Sequence, residues 1–367
     1  MSLPEQTSEA TTAKKESYRI TNWSEYDRAL VERGNITFWF DQEAVGEKWT
    51  PKPTGKRGGQ WRYSDWAIQT LLMLKAVFHL PYRALEGFGR SLMDLLGLDM
   101  PIPDHSHMSR RAKTVEIQIP RREKKEPIHV VVDATGLKVF GEGEWKVRQH
   151  GEGKRRTWLK VHLAVDAHDK DVLGVEVTTV AWTDGEVFED LIEQVEGTIE
   201  QIDGDGAFDT RAAYDVAKER GARLVVPPRE NAVPWEEGHP RTQALAEIEA
   251  KGRKQWKKDS GYHHRSIAEN AMYRLKQLFG SGVASRILDT QTAEVHARIA
   301  AMNKMTYLGM PVSVRVGEVA PEKMGEGEFP SSLCRHAIRA PTPFWTLKTA
   351  IRVWFRIWIS VVQGCLL

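Results

Sequence analysis

Between residues 128 and 228 the apolar pattern changes period in a set order, and that order restricts the fold more than any other feature of the chain. IHVVVDATGLKVF, WLKVHLAVDA and VLGVEVTTVA are three β-rich runs separated by turn-like, basic or glycine-containing segments, with the spacing of an antiparallel meander. DGEVFEDLIEQVEG then reads as a helix and IEQIDGDGAF as a strand entering a glycine-rich turn. TRAAYDVAKERG is a helix ending at Gly221, and RLVVPP is a short strand. A polar, charged stretch at 229–258 precedes a strong helix from about Gly261 to Phe279.

Three strands, a helix, a strand, a helix and a strand form the succession of a ribonuclease-H-like α/β domain with a mixed five-stranded sheet. Upstream, residues 18–120 carry a helical pattern. Ser64 is placed to cap YSDWAIQTLLMLKAVFHL, a second helix follows Pro81, and Asp104 or Ser106 caps a short basic third helix. Short helices ending in a basic one suit a helix-turn-helix-like DNA-binding domain. The expected organisation is a disordered tail at 1–17, this helical domain, a charged linker RREKKEP, a catalytic domain at 127–312 with an insertion near 229–258, and an atypical extension at 313–367.

Net charge is only +2, so the distribution of charge matters more than its sum. Basic residues cluster at Arg110, Arg111 and Lys113, at Arg121, Arg122, Lys124 and Lys125, at Lys154, Arg155 and Arg156, and from Lys251 to Lys258. Such clusters are the footprint of a phosphate-backbone binder, although any one of them also describes a solvated surface. The 13 Trp residues suit groove walls or platforms for unstacked bases as well as packing. The two cysteines, Cys334 and Cys365, match no zinc spacing or disulfide framework and fit a reducing cytoplasm. His105 and His107 lack partners for zinc. The start is polar and lacks the apolar segment expected of a signal peptide, and the apolar end at 344–367 is broken by Lys348, Arg352 and Arg356, so no obligate membrane partner is expected. That basic stripe suits a membrane surface, an oligomer contact or DNA, and equally suits readthrough into sequence with no such role.

Asp133 lies at the end of the first buried strand and Asp205 just after the fourth. Neighbouring strand ends would bring the two carboxylates close, and like charges at that distance need a cation between them. Hard oxygen ligands suit Mg²⁺ or Mn²⁺, and two ions about 3.5–4 Å apart activate the attacking oxygen and stabilise the leaving one in phosphoryl transfer. Each Asp alone could equally cap a turn. In the late helix, Tyr262, Arg265, Glu269 and Lys276 share one stripe, with Ile267, Ala271, Leu275 and Leu278 opposite. Glu269 would complete the acidic site, Arg265 and Lys276 would hold phosphates, and Tyr262 could stack on a base. Ordinary ion pairing on an amphipathic helix accounts for the same stripe. His162 is either a neighbour of the site or a satisfied core histidine, depending on its sheet face. Lys138, Lys146, Arg148, Arg155 and Lys160 surround the first two strands and are candidates for a DNA path.

The spacing Tyr262, Arg265, Glu269, Lys276 resembles the YREK signature of the insertion-sequence-5 family of DDE transposases, in its 903-type branch. VVDATGLKVFGEGEWKVRQHG, DGAFDTR, PPREN and MNKMTYLGMP are similar to that family in the same order, so the resemblance runs from about Tyr18 to Pro311. It implies a metal-dependent enzyme that cleaves DNA at terminal inverted repeats and joins the ends to target DNA. It also implies a homo-oligomer working on double-stranded DNA in a prokaryotic cytoplasm, at the nucleoid. Residue by residue it makes Asp133, Asp205 and Glu269 the acids and metal ligands, and Tyr262, Arg265 and Lys276 contacts to DNA. Arg110 and Arg111, on the basic third helix, join these as DNA contacts. Asp203 competes with Asp205 for the second position, and Asp209 is expected to cap TRAAYD. A nuclease or resolvase on the same fold would cut without joining, and a regulator derived from a transposase would bind without cutting.

Overall fold

The computed structural model of the chain describes residues 17–53, 55, 62–139 and 158–316. The tail at 1–16, the basic run Lys154–Arg156, Lys146, Arg148, both cysteines and nearly all of the C-terminal extension lie outside the described residues. The chain divides into two units, 20–314 and the two terminal segments. Among the described residues the terminal unit contributes only ends of strands β1 (Ser17–Ile20) and β8 (Ser313–Val316), which pair with each other. Ser17 and Ser313–Val316, expected in a tail and an extension, are therefore strand residues.

Among the described residues six helices precede the main sheet, at Trp23–Glu32, Ile36–Trp39, Gln42–Lys48, Asp65–Val77, Tyr82–Leu95 and His105–Arg111. Their starts follow from side chains that compete for the first free amides. Asn35, Asp41, Ser64 and Asp104 accept from Thr37, Glu43, Ala67, and both Ser106 and His107. Asp65–Val77 buries Ala67, Ile68, Thr70 and Leu71–Leu74 on nearly all sides, as a central helix must. Trp39 and Trp49 are buried around it, each indole N–H donating at 2.8 Å to a carbonyl, of Arg33 and Pro101 respectively.

The segment 121–127 is not the free linker its charge suggests. Arg121 donates to the Gln194 carbonyl at 2.5 Å, and Arg122 to that of Thr306 at 3.1 Å. Lys124 sits on Asp166 (2.6 Å) and Asp169. The helices before the segment and the sheet after it share one apolar core, in which Ile68, Leu71 and Leu74 join Val131, Leu163 and Leu275. The helices at 18–120 and the sheet region at 127–312 fall in one compact unit over 20–314.

The main sheet contains β2 (Ile128–Val139), β3 (Trp158–Asp166), β4 (Val172–Thr179), β5 (Ile199–Asp203), β6 (Arg223–Val225) and β7 (Gly282–Val283). Its order is β4-β3-β2-β5-β6, with β7 beside the far end of β2, so it has six strands where five were expected. β3 and β4 run antiparallel to their neighbours, and β5, β6 and β7 pair in parallel, which is the mixed ribonuclease-H-like sheet. One face carries Val131, Leu137, Val161 and Leu163 under Ser266–Phe279 and Leu288–Leu308. The other carries Val130, Val132, Ala164 and Ile202 under Phe188–Glu193 and Arg211–Glu219. Residues 229–258, expected as an insertion, form the helices Pro240–Lys251 and Arg253–Asp259 after a loop. No helix among the described residues is long and apolar enough to cross a membrane.

Candidate active site

Asp133 is not at the end of β2 but in its middle, because β2 runs on to Val139 against β3 and β7. The parallel ladder with β5 ends at Val131 opposite Asp203. Asp133 thus stands on the same face just beyond the point where its neighbour leaves the sheet. Its side chain is 13% exposed, and its Oδ1 accepts the N–H of Ala134 at 2.9 Å. Burial pushes its carboxyl pKa up, and the nearby Asp205 and Glu269 push the same way. The Ala134 amide and Arg265 oppose them without cancelling the rise.

Asp205 caps the short 3₁₀ turn Gly206–Phe208, its Oδ1 accepting from Ala207 N at 2.8 Å. Gly204 just before it is required by close packing: a Cβ there would lie 2.8 Å from the Phe208 ring and 3.1 Å from Val132. Asp203 is fully buried and both its oxygens are engaged. Gln201 Nε2 donates to Oδ1 at 2.7 Å, and His129 Nε2 lies 2.8 Å from Oδ2. Asp209 does not cap the next helix; Thr210 does, accepting from Ala213. Asp209 instead receives Arg241 through two bonds of 2.6 and 2.9 Å in a buried pair.

The late helix begins at Ser266, not Gly261, because Gly261 is left-handed (φ 77°) and Tyr262–Arg265 form a 3₁₀ turn. Ala268, Ala271, Met272, Leu275 and Phe279 are its packed face. The turn and helix still bring the signature residues to Asp133. Arg265 Nη1 is 2.9 Å from Glu269 Oε1, and its Nη2 is 3.7 Å from Asp133 Oδ2. Burial works against the charge of Arg265, but Asp133, Tyr262, Glu269 and Asp205 together hold its pKa above the ordinary value. Burial likewise raises the Tyr262 hydroxyl, with Asp205 and Asp133 adding to the rise and Arg265 opposing it. Lys276 Nζ donates to Thr135 Oγ1 at 2.6 Å, two residues along the same strand face from Asp133.

Two supports of this turn escaped the sequence reading. His129 packs edge-on against His264 at 4.9 Å between ring centroids, and Gln201 Nε2 reaches the Ser260 carbonyl at 3.4 Å. His129 shares a strand face with Asp133 four residues on, which alternation alone could have indicated. The second support is Trp256, buried 6.5 Å from the Tyr262 ring, with Lys257 Nζ 5.0 Å from the same ring. Nothing in the spacing of RKQWKKD marks that contact.

Other expected site residues lie elsewhere. Arg110 is exposed, but Arg111 is turned inward, donating to the Tyr63 carbonyl at 3.2 Å and pairing with Asp65. Its buried guanidinium supports the fold and is not offered to DNA. His162 pairs with Ala134 across the ladder and so faces away from Asp133. It is a buried core histidine with Nε2 3.0 Å from Thr178 Oγ1 and Nδ1 3.1 Å from Asp184 Oδ1, the latter without hydrogen-bond geometry. Lys160 also binds Asp184, at 2.9 Å.

Three carboxylates around one partly buried guanidinium form an all-oxygen donor set of the type that hard divalent cations prefer. Burial is the main reason that Asp133 is harder to ionise, and the neighbouring Asp205 and Glu269 add to it. In chemistry the residues fit a divalent ion. Among the described residues no three acidic, histidine or cysteine side chains converge closely enough to hold one together.

Residues 31–142 match a family model described as "Transposase DDE domain", and residues 124–304 match a second model of the same description. Among solved structures the chain is similar to a piggyBac transposase synaptic complex with hairpin DNA, at 14% identity and a TM-score of 0.31, over 79% of this chain and 77% of that one. It is also similar to a Mos1 transposase paired-end complex with left transposon end, at 12% identity and a TM-score of 0.19, over 63% and 81%. These likenesses are remote, whereas the two domain matches together run from 31 to 304.

Proposed function

We propose that the chain is a DDE transposase that acts on DNA through one acidic centre made of Asp133, Asp205 and Glu269, a reading that the two transposase DDE domain matches support. Within those enzymes we assign it to the insertion-sequence-5 family, on the YREK spacing of Tyr262, Arg265, Glu269 and Lys276. The reaction is cleavage at the terminal inverted repeats of an insertion sequence, followed by joining of the freed 3′ end to target DNA. Bringing two ends together calls for at least two copies of the chain. A bacterial cytoplasm, at the nucleoid, is the setting that substrate implies.

The observation that carries this reading is the placement of Arg265, whose two terminal nitrogens lie 3.7 Å from Asp133 and 2.9 Å from Glu269. Asp133, Asp205 and Glu269 would hold Mg²⁺ or Mn²⁺, two ions in all. When bound, such ions supply charge neutralisation to the attacking and leaving oxygens of an in-line displacement. The protein's own part is positioning. Arg265 and Lys276 hold non-bridging phosphate oxygens, the first through its planar fork and the second as a point charge. Partial burial of Asp133 strengthens its interaction with the charges beside it. Tyr262, held by Trp256, borders the same space and offers a ring face or a hydroxyl to the strand.

The test is an assay with Mg²⁺ and DNA carrying the inverted repeats that flank the coding sequence, scoring nicking and joining separately. Both products are expected. Nicking without joining would convert the reading to a nuclease, and binding with neither product to a regulator.

A further inference from the structure

The three segments that bring Asp133, Asp205 and Arg265 together also meet through a second set of side chains. His129 precedes Asp133 by four residues on the same face of β2. Asp203 ends β5, two residues before Asp205, and Gln201 lies on the same strand. His264 stands directly before Arg265 in the 3₁₀ turn. The parallel ladder sets His129 opposite Gln201 and Val131 opposite Asp203, which brings the first two segments into register.

Asp203 is the hub. It has no exposed surface, and a carboxylate only accepts hydrogen bonds. Gln201 Nε2 donates to its Oδ1 at 2.7 Å, and His129 Nε2, 2.8 Å from Oδ2, must donate as well. That bond fixes the His129 ring, which meets His264 edge-on at 4.9 Å between centroids. Burial lowers the His264 pKa, with His129 and His263 adding and Asp203 opposing, so this ring packs in its neutral form. Gln201 Nε2 also lies 3.4 Å from the Ser260 carbonyl, at the entry to the turn. Gly261 completes the entry: its φ is 77°, and a Cβ there would sit 3.5 Å from the His264 ring and 3.8 Å from Gln201 Nε2.

We propose that Asp203, His129 and His264 are positioning residues, whose linked contacts set where the turn places Arg265 against Asp133. The proposal rests on the acidic centre being the reactive site. Arg265 spans Glu269 at 2.9 Å and Asp133 at 3.7 Å, so a small shift of the turn would change which carboxylate it serves. Misplacement by about 1 Å can cost on the order of 10²-fold in rate. A satisfied buried network holds its members in one arrangement, and this one joins both acid-bearing strands to the turn.

Hydrogen exchange of the full chain, read by mass spectrometry, tests the hold on the turn. H129A and D203N should each speed exchange of the amides of 261–266 by about tenfold or more and leave those of Leu288–Leu308 unchanged. D203N leaves one acceptor for two donors, whereas H129Q keeps an amide donor near the reach of Nε2 and should return exchange to within about threefold of the parent. Nicking of DNA carrying the inverted repeats, with H129A made in the parent and in R265A, tests the effect on Arg265. H129A should lower kcat by about tenfold in the parent with KM for the DNA unchanged, and by less than about twofold where Arg265 is already gone. Unchanged exchange at 261–266, an equal rise in Leu288–Leu308, no recovery in H129Q, or an equal loss of kcat in both backgrounds would overturn the proposal. A parent that failed to nick would defeat the acidic centre, and the exchange pattern would still decide whether this network holds the turn.

Discussion

Arg265 and Asp133 face each other across 3.7 Å, yet the carboxyl of Asp133 remains harder to ionise than an ordinary aspartate. Burial outweighs the single guanidinium and favours the neutral carboxyl. Arg265 competes with a divalent ion for these carboxylates and is also offered to the phosphate, so R265A should need no more Mg²⁺ than the parent for half-maximal cleavage yet cut at least about tenfold more slowly. R265K should recover part of the rate. Equal rates for R265A and the parent at all Mg²⁺ concentrations would remove Arg265 from the centre.

Asp203 and Asp205 should separate cleanly. Asp203 is buried with both oxygens bound by Gln201 and His129, whereas Asp205 offers the oxygen that does not accept from Ala207. Mg²⁺ should raise the melting temperature of D203N as it does that of the parent, and D205N should lose that rise. The reverse pattern would make Asp203 the second acid.

Arg110 and Arg111 are adjacent in sequence and opposite in role. R111A leaves the Tyr63 carbonyl and Asp65 without the guanidinium and should cost about 1–3 kcal/mol in a urea titration. R110A should change stability by less than about 0.5 kcal/mol. If R110A destabilised the chain as much as R111A, the assignment of Arg111 to the fold would be wrong.

Asp171 offers a pH test of the core. Burial raises its pKa to about 6, with Arg122 and Lys124 opposing the rise. The folded value lies above the unfolded one near 3.9, so the folded state binds more protons between them and loses stability as pH rises through that window. D171N removes the ionisation and should be more stable than the parent above pH 6, by on the order of 1–2 kcal/mol, with no such gain below pH 4. A difference that is constant with pH would refute the buried ionisation.

At Gly174 an added Cβ would sit 2.6 Å from the Leu191 carbonyl, where β4 meets helix Phe188–Glu193. Backbone cannot move aside as a side chain can, so G174A should cost about 1–3 kcal/mol or more. Calorimetry that found G174A neutral would place that helix farther from the sheet.

Much of this architecture was legible because each element announces itself locally. The continuous apolar run Val130–Val132 marks a strand covered on both faces, the alternation in Leu159–Leu163 marks a second strand, and Ser64 and Asp104 mark helix starts by capping chemistry. What was not legible depends on partners distant in sequence. Asp133 reads as a strand end, but β7, about 150 residues later, helps to extend its strand. RREKKEP reads as a linker until Asp166, Asp169 and Gln194 arrive to bind it. Arg111 looks like a surface cation because only the fold brings Tyr63 over it. The stripe of Tyr262, Arg265 and Glu269 was found on an assumed continuous helix. A 3₁₀ turn intervenes, yet Arg265 and Glu269 keep their i, i+4 pairing across the helix start.

The central claim is that Asp133, Asp205 and Glu269 act as one centre. It is tested most directly by D133N, D205N and E269Q in the full chain, measuring Mg²⁺-dependent nicking and binding on the same DNA that carries the inverted repeats. Each variant should lose nicking by roughly 10²–10³-fold or more while binding stays within about threefold of the parent. Nicking at the parent rate by any one of the three would contradict the account.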